Sequence, residues 1–117
     1  MAGRYVPEAG DIVWLRFGPQ AGLKQSGHRP ALVISPAAYN GKTRLIICCP
    51  ITTHAKGYPF EVPIGGSRPG VVLADQVKSL DWMVRKAKYK GKAAAAAPSL
   101  TAPRRVILES FGIEYSL

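Results

Sequence analysis

The chain has 117 residues, of which 47% are hydrophobic, and this size and composition are typical of one folded domain rather than of a disordered protein. Its formal net charge of +9 predicts a polyanionic partner, namely a nucleic acid, an anionic membrane surface or an acidic protein; a merely basic, soluble surface is the plain alternative. The run from Leu45 to Ile51 is among the longest apolar stretches, yet at seven residues it falls far short of the ~20 that a transmembrane helix needs.

The N-terminal segment and the cysteines predict a cytoplasmic location. Residues 1–10 contain no apolar core followed by a cleavage site, so no export signal is expected. The only cysteines, Cys48 and Cys49, are adjacent and would point to opposite sides of a strand, which strains a disulfide between them. We therefore expect both to be core residues in a reducing compartment, and we expect no metal and no cofactor, since no C-x-x-C or H-x-x-H pattern is present.

Strand signals dominate the first three quarters of the chain, as short apolar segments separated by Gly, Pro and Asn. The pattern predicts strands over residues 11–17, 31–35, 44–50, 60–64, 71–77 and 80–88. A polar loop is predicted over 18–28, and one helical turn over 36–42 before the turn signal Asn40-Gly41. Many short strands with little helical periodicity favour a mainly β protein built as a small barrel.

The C-terminal quarter has a different composition. A basic run ends at Lys92 and is followed by five alanines at 93–97 and by Pro98. We assign residues 1–92 to the barrel and 93–117 to a tail of the same domain. The alanines fit a linker or a frayed turn as well as a helix, because Pro98 ends any helix that they begin. Residues 99–111 fit a further helix.

Two predicted strands carry phosphate-seeking side chains at one end. Arg29 precedes the first strand, and Thr52 follows the second. A guanidinium can clamp two phosphoryl oxygens, and a threonine hydroxyl can donate one more hydrogen bond to the same oxyanion. RNA supplies its own nucleophile, the ribose 2′-OH. From spacing alone, however, a surface ion pair at Arg29 and a turn cap at Thr52 explain these common residues better.

Two further groups of residues are compatible with RNA cleavage or RNA binding. His28 and His54 lie beside the first pair and fit an acid–base pair, although loop histidines are more often simply solvated. The many lysines and arginines, interleaved with aromatic residues such as Tyr58 and Phe60, fit a single-strand binding surface. The alternative is a solvated cationic face with ordinary core aromatics.

The sequence also resembles the MazF/PemK (Kid) family of toxin ribonucleases. The resemblance covers roughly residues 4–92 and is carried by Arg4-Tyr5-Val6-Pro7, Gly10-Asp11, Gly27-His28-Arg29-Pro30-Ala31, Tyr39-Asn40, Thr52-Thr53, Lys56-Gly57-Tyr58-Pro59-Phe60-Glu61 and Leu73-Ala74-Asp75-Gln76-Val77-Lys78-Ser79. It implies an SH3-like β-barrel with a C-terminal helix, assembled as a homodimer. The implied activity is metal-independent, sequence-specific cleavage of single-stranded RNA, which leaves a 2′,3′-cyclic phosphate and a 5′-OH.

The resemblance also implies a partner and residue roles. The implied partner is an acidic, MazE-like antitoxin laid over the basic groove. The catalytic Arg and Thr of the family fall on Arg29 and Thr52, and Lys24, His28 and Asp75 are further catalytic or orienting candidates. The predicted RNA-binding residues are Asn40, Thr53, His54, Lys56, Tyr58 and Lys78.

The chain departs from the family pattern at Lys24, where members usually carry a glutamate, at Met83, where an arginine is common, and beyond about Lys92. These departures keep a second hypothesis open, in which a weak or inactive barrel binds RNA or antitoxin without efficient cleavage. A third hypothesis, poisoning of a protein target as in gyrase-directed relatives, finds no support in the C-terminal sequence.

Overall fold

The computed structural model describes residues 5–16, 28–64 and 70–93, which form seven strands and one helix. In chain order these elements are β1 (Asp11–Arg16), β2 (His28–Val33), α1 (Ala37–Thr43), β3 (Leu45–Thr52), β4 (Glu61–Pro63), β5 (Val71–Leu73), β6 (Lys78–Asp81) and β7 (Lys88–Lys92). The predicted mainly β class is confirmed. Lys24 and most of the predicted 18–28 loop lie outside the described residues, as does the tail from residue 94 onward with its predicted helix.

All strand pairs are antiparallel, and β3 is the central strand. The strand order is β4-β5-β3-β2-β1-β7, and β6 also pairs with β3. The first half of β3, from Leu45 to Cys48, pairs with β6, whereas Ile51 and Thr52 at its end pair with β5. The end of β3 therefore lies where β2 and β5 approach it from either side.

The apolar core lies on both faces of the sheet, because successive strand residues point to opposite sides. Adjacent residues illustrate this division: Cys49 packs with Ile12 and Leu32, whereas Cys48 packs with Val13 and Leu15. Both cysteines are fully buried, as predicted. Trp82 belongs to the second cluster and donates its indole N–H to the carbonyl oxygen of Asn40 at 2.8 Å.

The predicted strand over residues 80–88 is wrong. The chain instead leaves β6 at Asp81, turns, and begins β7 at Lys88. The Asp81 carboxylate accepts hydrogen bonds from the N–H groups of Met83 and Val84 at 3.0 and 2.9 Å. Lys86 adopts a left-handed conformation with φ 49°. This capped turn reverses the chain and lets β7 pair with β1.

The helix α1 lies within one residue of the predicted segment 36–42, but it does not end at the turn signal. Asn40 and Gly41 were predicted to end it as a turn, but α1 continues through both to Thr43. It ends at Arg44, whose left-handed conformation, with φ 67°, lets its N–H bond to the carbonyl of Asn40. In the described part of the chain, no helix has the length and apolar character needed to cross a membrane.

Candidate active site

Arg29 and Thr52 stand on neighbouring strand ends. Strands β2 and β3 pair with Ala31 opposite Pro50. Because the strands are antiparallel, continuing this register by two residues brings Arg29 opposite Thr52. Arg29 is exposed and Thr52 is partly buried, and both line one open cavity of about 970 Å³.

The cavity collects most of the residues predicted from the sequence. Beside Arg29 and Thr52, its wall includes Thr53, His54, Lys56, Tyr58, Asp75 and Lys78. The remaining lining residues are Trp14, Pro30, Pro50, Ile51, Phe60, Glu61, Leu73 and Gln76. Three strand ends and the loop after β3 therefore converge on one surface.

Thr52 has a defined hydroxyl orientation. Its Oγ1 accepts a hydrogen bond from the backbone N–H of His54 at 3.0 Å. One lone pair of the oxygen is thereby occupied, and the hydroxyl hydrogen remains free to be donated. Thr52 caps a turn and lines the cavity at the same time.

Arg29 is not committed to an ion pair. The two salt bridges among the described residues join Arg44 to Asp81 and Lys92 to Asp11. The guanidinium of Arg29 is thus available to an anion in the cavity.

The charges around the cavity are mixed but mainly positive. Arg29, Lys56 and Lys78 supply three cations, and Asp75 and Glu61 supply two carboxylates. The Glu61 carboxylate accepts backbone hydrogen bonds, and these hold the pKa of Glu61 below its usual value, the bond from Lys56 having the largest effect. The Asp75 carboxylate makes no hydrogen bond or ion pair with the described residues, so it is free to act on a ligand.

Aromatic side chains border the same cavity. Tyr58 is 59% exposed and Phe60 is 49% exposed. Large apolar rings that face solvent beside cations are typical of surfaces on which nucleic-acid bases stack.

The two histidines do not share a site. His54 lines the cavity, whereas His28 lines a smaller depression with Trp14 and Lys88. The acid–base pair proposed from the sequence is therefore not assembled. Beside this depression, the ammonium of Lys90 lies 4.5 Å from the ring centre of Trp14, a cation–π contact.

Asn40 was predicted to bind RNA, and the structure corrects this. Asn40 is 0% exposed. Its side-chain amide donates to the carbonyl oxygens of Pro7 and Ser35 at 2.8 and 2.9 Å, and its Oδ1 accepts from the Ser35 hydroxyl at 2.6 Å. The amide is fully used in fixing α1 to the sheet, and it presents nothing to a ligand.

The basic run at the end of the described chain is partly structural. Lys92 forms an ion pair with the buried Asp11 at 3.0 Å, and the hydroxyl of Tyr5 donates to the same carboxylate at 2.5 Å. Lys92 therefore stabilises the fold, whereas Lys88 and Lys90 remain on the surface beside Trp14.

The cysteines cannot supply a nucleophile. Burial raises the pKa of both Cys48 and Cys49 to about 12, so the thiols stay protonated at neutral pH. Among the described residues, no three His, Cys, Asp or Glu side chains are grouped so that they could hold a metal ion.

Sequence reasoning missed the places of Trp14 and Glu61 on the cavity wall. Trp14 lies opposite Pro30 in the pairing of β1 with β2, one residue from the strand end that carries Arg29. The sequence does contain a signal for Glu61, which follows Gly57 by four residues in a polar loop. This spacing lets the carboxylate fold back and accept hydrogen bonds from the backbone N–H groups of the loop.

The chain is similar to known toxins over most of its length. The profile of the PemK-like, MazF-like toxins of type II toxin–antitoxin systems matches residues 8–100. The endoribonuclease toxin MazF of Escherichia coli strain K12 is 55% identical over 95 residues, which cover 80% of this chain and 86% of that protein. The endoribonuclease toxin ChpB of the same strain is 42% identical over 94 residues, covering 74% and 80% of the two chains.

Solved structures give the same result for the fold. The MazE–MazF complex of Deinococcus radiodurans (form II) contains a chain that is 50% identical, with a TM-score of 0.84, covering 95% of this chain and 100% of that one. MazF of the same organism (form I) is 51% identical with a TM-score of 0.78, covering 94% and 100%. The predicted fold class is thus confirmed, and the chain belongs to the PemK-like, MazF-like toxin family of type II toxin–antitoxin systems.

Proposed function

We propose that this protein is an endoribonuclease toxin that cleaves single-stranded RNA at the cavity between β2, β3 and β5. The observation that carries the proposal is that Arg29 and Thr52 line one cavity in a chain of this family. A guanidinium and a hydroxyl donor at one point match the needs of a phosphodiester that gains charge during attack.

The reaction needs no nucleophile from the protein. The ribose 2′-OH gives up its proton and its oxygen attacks the adjacent phosphorus. The bond from phosphorus to the 5′-oxygen breaks, and the leaving oxygen takes up a proton from solvent. The products are a 2′,3′-cyclic phosphate and a 5′-OH. Arg29 stabilises the charge on the non-bridging oxygens, and the Thr52 hydroxyl donates to one of them. Metal independence is expected, because the attacking and stabilising groups are already supplied by the RNA and by these two residues.

Asp75 is the proposed acceptor of the 2′-OH proton. Of the two carboxylates in the cavity, Glu61 is occupied by backbone N–H groups, whereas Asp75 has no such partner among the described residues. A carboxylate within hydrogen-bond reach of the 2′-OH can act as general base or can orient it.

RNA binding is assigned to the rest of the cavity wall. Lys56 and Lys78 supply cations for the backbone, Tyr58 and Phe60 supply exposed rings for bases, and Thr53 and His54 supply polar groups beside Thr52. Stacking on exposed rings requires unpaired bases, so single-stranded RNA is the expected substrate. The expected single-stranded substrate is mRNA, and we therefore propose a cytoplasmic location.

The proposed partners are an acidic antitoxin and a second copy of the chain. MazF of D. radiodurans has been solved with MazE. The basic cavity and the net charge of +9 suit an acidic peptide that occupies the RNA site. A homodimer is expected from the family.

The proposal is tested with purified protein, single-stranded RNA and excess EDTA. We expect cleavage in EDTA, sparing of the same sequence as a duplex, and products that end in 2′,3′-cyclic phosphate and 5′-OH. Cleavage that requires a divalent metal, or products with 5′-phosphates, would contradict the mechanism. Binding of RNA without cleavage would favour the second hypothesis, to which Lys24 in place of the usual glutamate points.

A further inference from the structure

The loop after β3 carries much of the cavity wall but has little packing of its own. Residues 53–60 are all exposed, and they include Lys56, Tyr58 and Phe60. A loop without buried apolar side chains needs hydrogen bonds to keep one conformation. The source of those bonds decides whether its side chains face the cavity.

Glu61 supplies the principal bonds. Its two carboxylate oxygens accept from the N–H of Lys56 at 3.0 and 2.9 Å, and one of them also accepts from the N–H of Gly57 at 2.8 Å. Backbone bonds complete the closure: the N–H of Glu61 donates to the carbonyl of Tyr58 at 3.1 Å, and the N–H of Ala74 donates to the carbonyl of Phe60 at 3.1 Å. The carboxylate thus ties the tip of the loop to the start of β4.

Gly57 gives independent evidence that this loop conformation is specific. Its φ is +82°, a conformation that L side chains rarely adopt. A Cβ placed there would meet nothing within 4 Å. The glycine is therefore required by the backbone conformation and not by a lack of space.

We propose that Glu61 is a positioning residue for RNA: its carboxylate holds the 53–60 loop so that Lys56 and Tyr58 face the substrate. The proposal rests on the proposed function, because it assigns the RNA-binding wall of the same cavity. Glu61 itself does not bind RNA, since its oxygens are occupied and its charge repels the phosphate backbone.

The negative charge of Glu61 separates the proposed positioning role from the alternative, in which Glu61 affects RNA binding only through its charge. If Glu61 acted only through charge, Glu61→Gln would remove a negative charge from a polyanion site and would tighten RNA binding. If Glu61 positions the loop, the same change places an amide NH₂ against backbone N–H donors and weakens RNA binding. The two roles predict effects of opposite sign.

Glu8→Gln is the matched control. The Glu8 carboxylate also accepts two backbone hydrogen bonds, from Ala9 at 2.9 Å and Ala37 at 2.8 Å, and it does not line the cavity. Both variants change the net charge by one unit. Glu8→Gln therefore controls for the change in net charge, and the direction of the effect of Glu61→Gln separates the loop from the local charge at the cavity.

Single-turnover cleavage of a single-stranded RNA is measured over a range of enzyme concentrations. Glu61→Gln should raise the half-saturating concentration about tenfold, as for loss of charge-assisted hydrogen bonds, and should leave the maximal rate within about threefold. Glu8→Gln should change neither by more than about twofold. Gly57→Ala should also weaken RNA binding. The double variant should weaken it by less than the sum of the two single effects in free energy, because both changes act on the same loop conformation.

Amide hydrogen exchange gives a readout that does not depend on RNA cleavage. In Glu61→Gln the N–H groups of Lys56 and Gly57 should exchange faster, whereas those of the β2–β3 ladder should be unchanged. Faster exchange together with weaker RNA binding supports the proposal. RNA binding can be measured directly, without cleavage, so the test holds even if the parent protein does not cut RNA. Unchanged exchange, or RNA binding that is unchanged or tighter in Glu61→Gln, would overturn it.

Discussion

The hydroxyl oxygen of Thr52 accepts the backbone N–H of His54 at 3.0 Å, and this bond fixes how Thr52 can act. The oxygen is held in place by the turn, while its hydrogen is left to donate to a group in the cavity. A turn-capping role and a catalytic role, which are alternatives at the level of sequence, are thus compatible in the structure.

Removal of either donor should slow cleavage without unfolding the protein. Arg29→Ala and Thr52→Val should each lower the single-turnover rate by ~10² or more, the effect of losing one oxyanion donor. Thr52→Ser keeps the hydroxyl and should stay within about tenfold of the parent, since the loss of one methyl group leaves the donor in place. Circular dichroism and thermal melting verify the fold of each variant. Rates within a few-fold of the parent for both Arg29→Ala and Thr52→Val would contradict the site.

Asp75→Asn should affect the chemical step rather than RNA binding. An amide cannot accept the 2′-OH proton, so the single-turnover rate at saturating enzyme should fall by ~10². RNA affinity should be equal or higher, because a negative charge is removed from the site. Lower affinity with an unchanged maximal rate would show that Asp75 binds the substrate and is not the base.

Asn40→Ala should reduce stability and spare the reaction. The change leaves the hydroxyl hydrogen of the buried Ser35 without its acceptor and the carbonyls of Pro7 and Ser35 without the amide donor, which costs about 2–4 kcal/mol in the free energy of unfolding. Urea denaturation measures this loss, and RNA cleavage at a temperature where the variant is folded should be near that of the parent. Normal stability combined with lost cleavage would restore the RNA-binding role that the burial of Asn40 excludes.

Acid should destabilise the protein in a defined window. The pKa values of Glu8, Glu61 and Asp81 are all lowered, first by backbone hydrogen bonds from Ala37, Lys56 and Val84 respectively. A carboxyl group with a lowered folded-state pKa contributes stability above its ordinary value, which is 4.5 for Glu and 3.8 for Asp, and this contribution is lost as the pH falls through the folded-state pKa.

The free energy of unfolding should therefore fall below about pH 5. The cations Lys92, Lys56 and Arg44 also lower the pKa values of Glu8, Glu61 and Asp81 respectively, whereas Asp11 raises the pKa of Glu8 without reversing its net lowering. Glu8→Gln and Asp81→Asn should each reduce the steepness of the fall in urea titrations between pH 6 and 3. An equal steepness in the parent and in both variants would contradict the assignment.

The convergence of Arg29 and Thr52 on one cavity was predictable, because the order of strands along the chain carries information about which strand ends are adjacent. Arg29 and Thr52 flank two consecutive antiparallel strands, and such strands usually pair, so their ends meet. Asn40 could not be placed in this way. The pair Asn40-Gly41 is a strong local turn signal, and only tertiary structure shows that the amide satisfies the buried groups of Pro7 and Ser35.

The wrong strand prediction over residues 80–88 and the unforeseen hydrogen bonds of Glu61 have one physical cause. In both, a carboxylate reaches backbone N–H groups a few residues away: Asp81 forward to Val84, and Glu61 back to Lys56. Such bonds compete with a continued strand, but composition and alternation do not report them. The register of β7 with β1, which creates the contact between Trp14 and Lys90, depends on the first of these turns.

Removal of a single 2′-hydroxyl group from the RNA substrate tests the central claim most directly. A cleavage position is mapped on single-stranded RNA in EDTA, and an oligonucleotide is made with a single 2′-deoxy nucleotide on the 5′ side of that bond. If the 2′-OH is the nucleophile that Arg29 and Thr52 serve, cleavage at that bond should be abolished while the oligonucleotide still binds. Cleavage of the bond that follows the 2′-deoxy nucleotide, at the rate measured for the all-ribose substrate, would contradict the account.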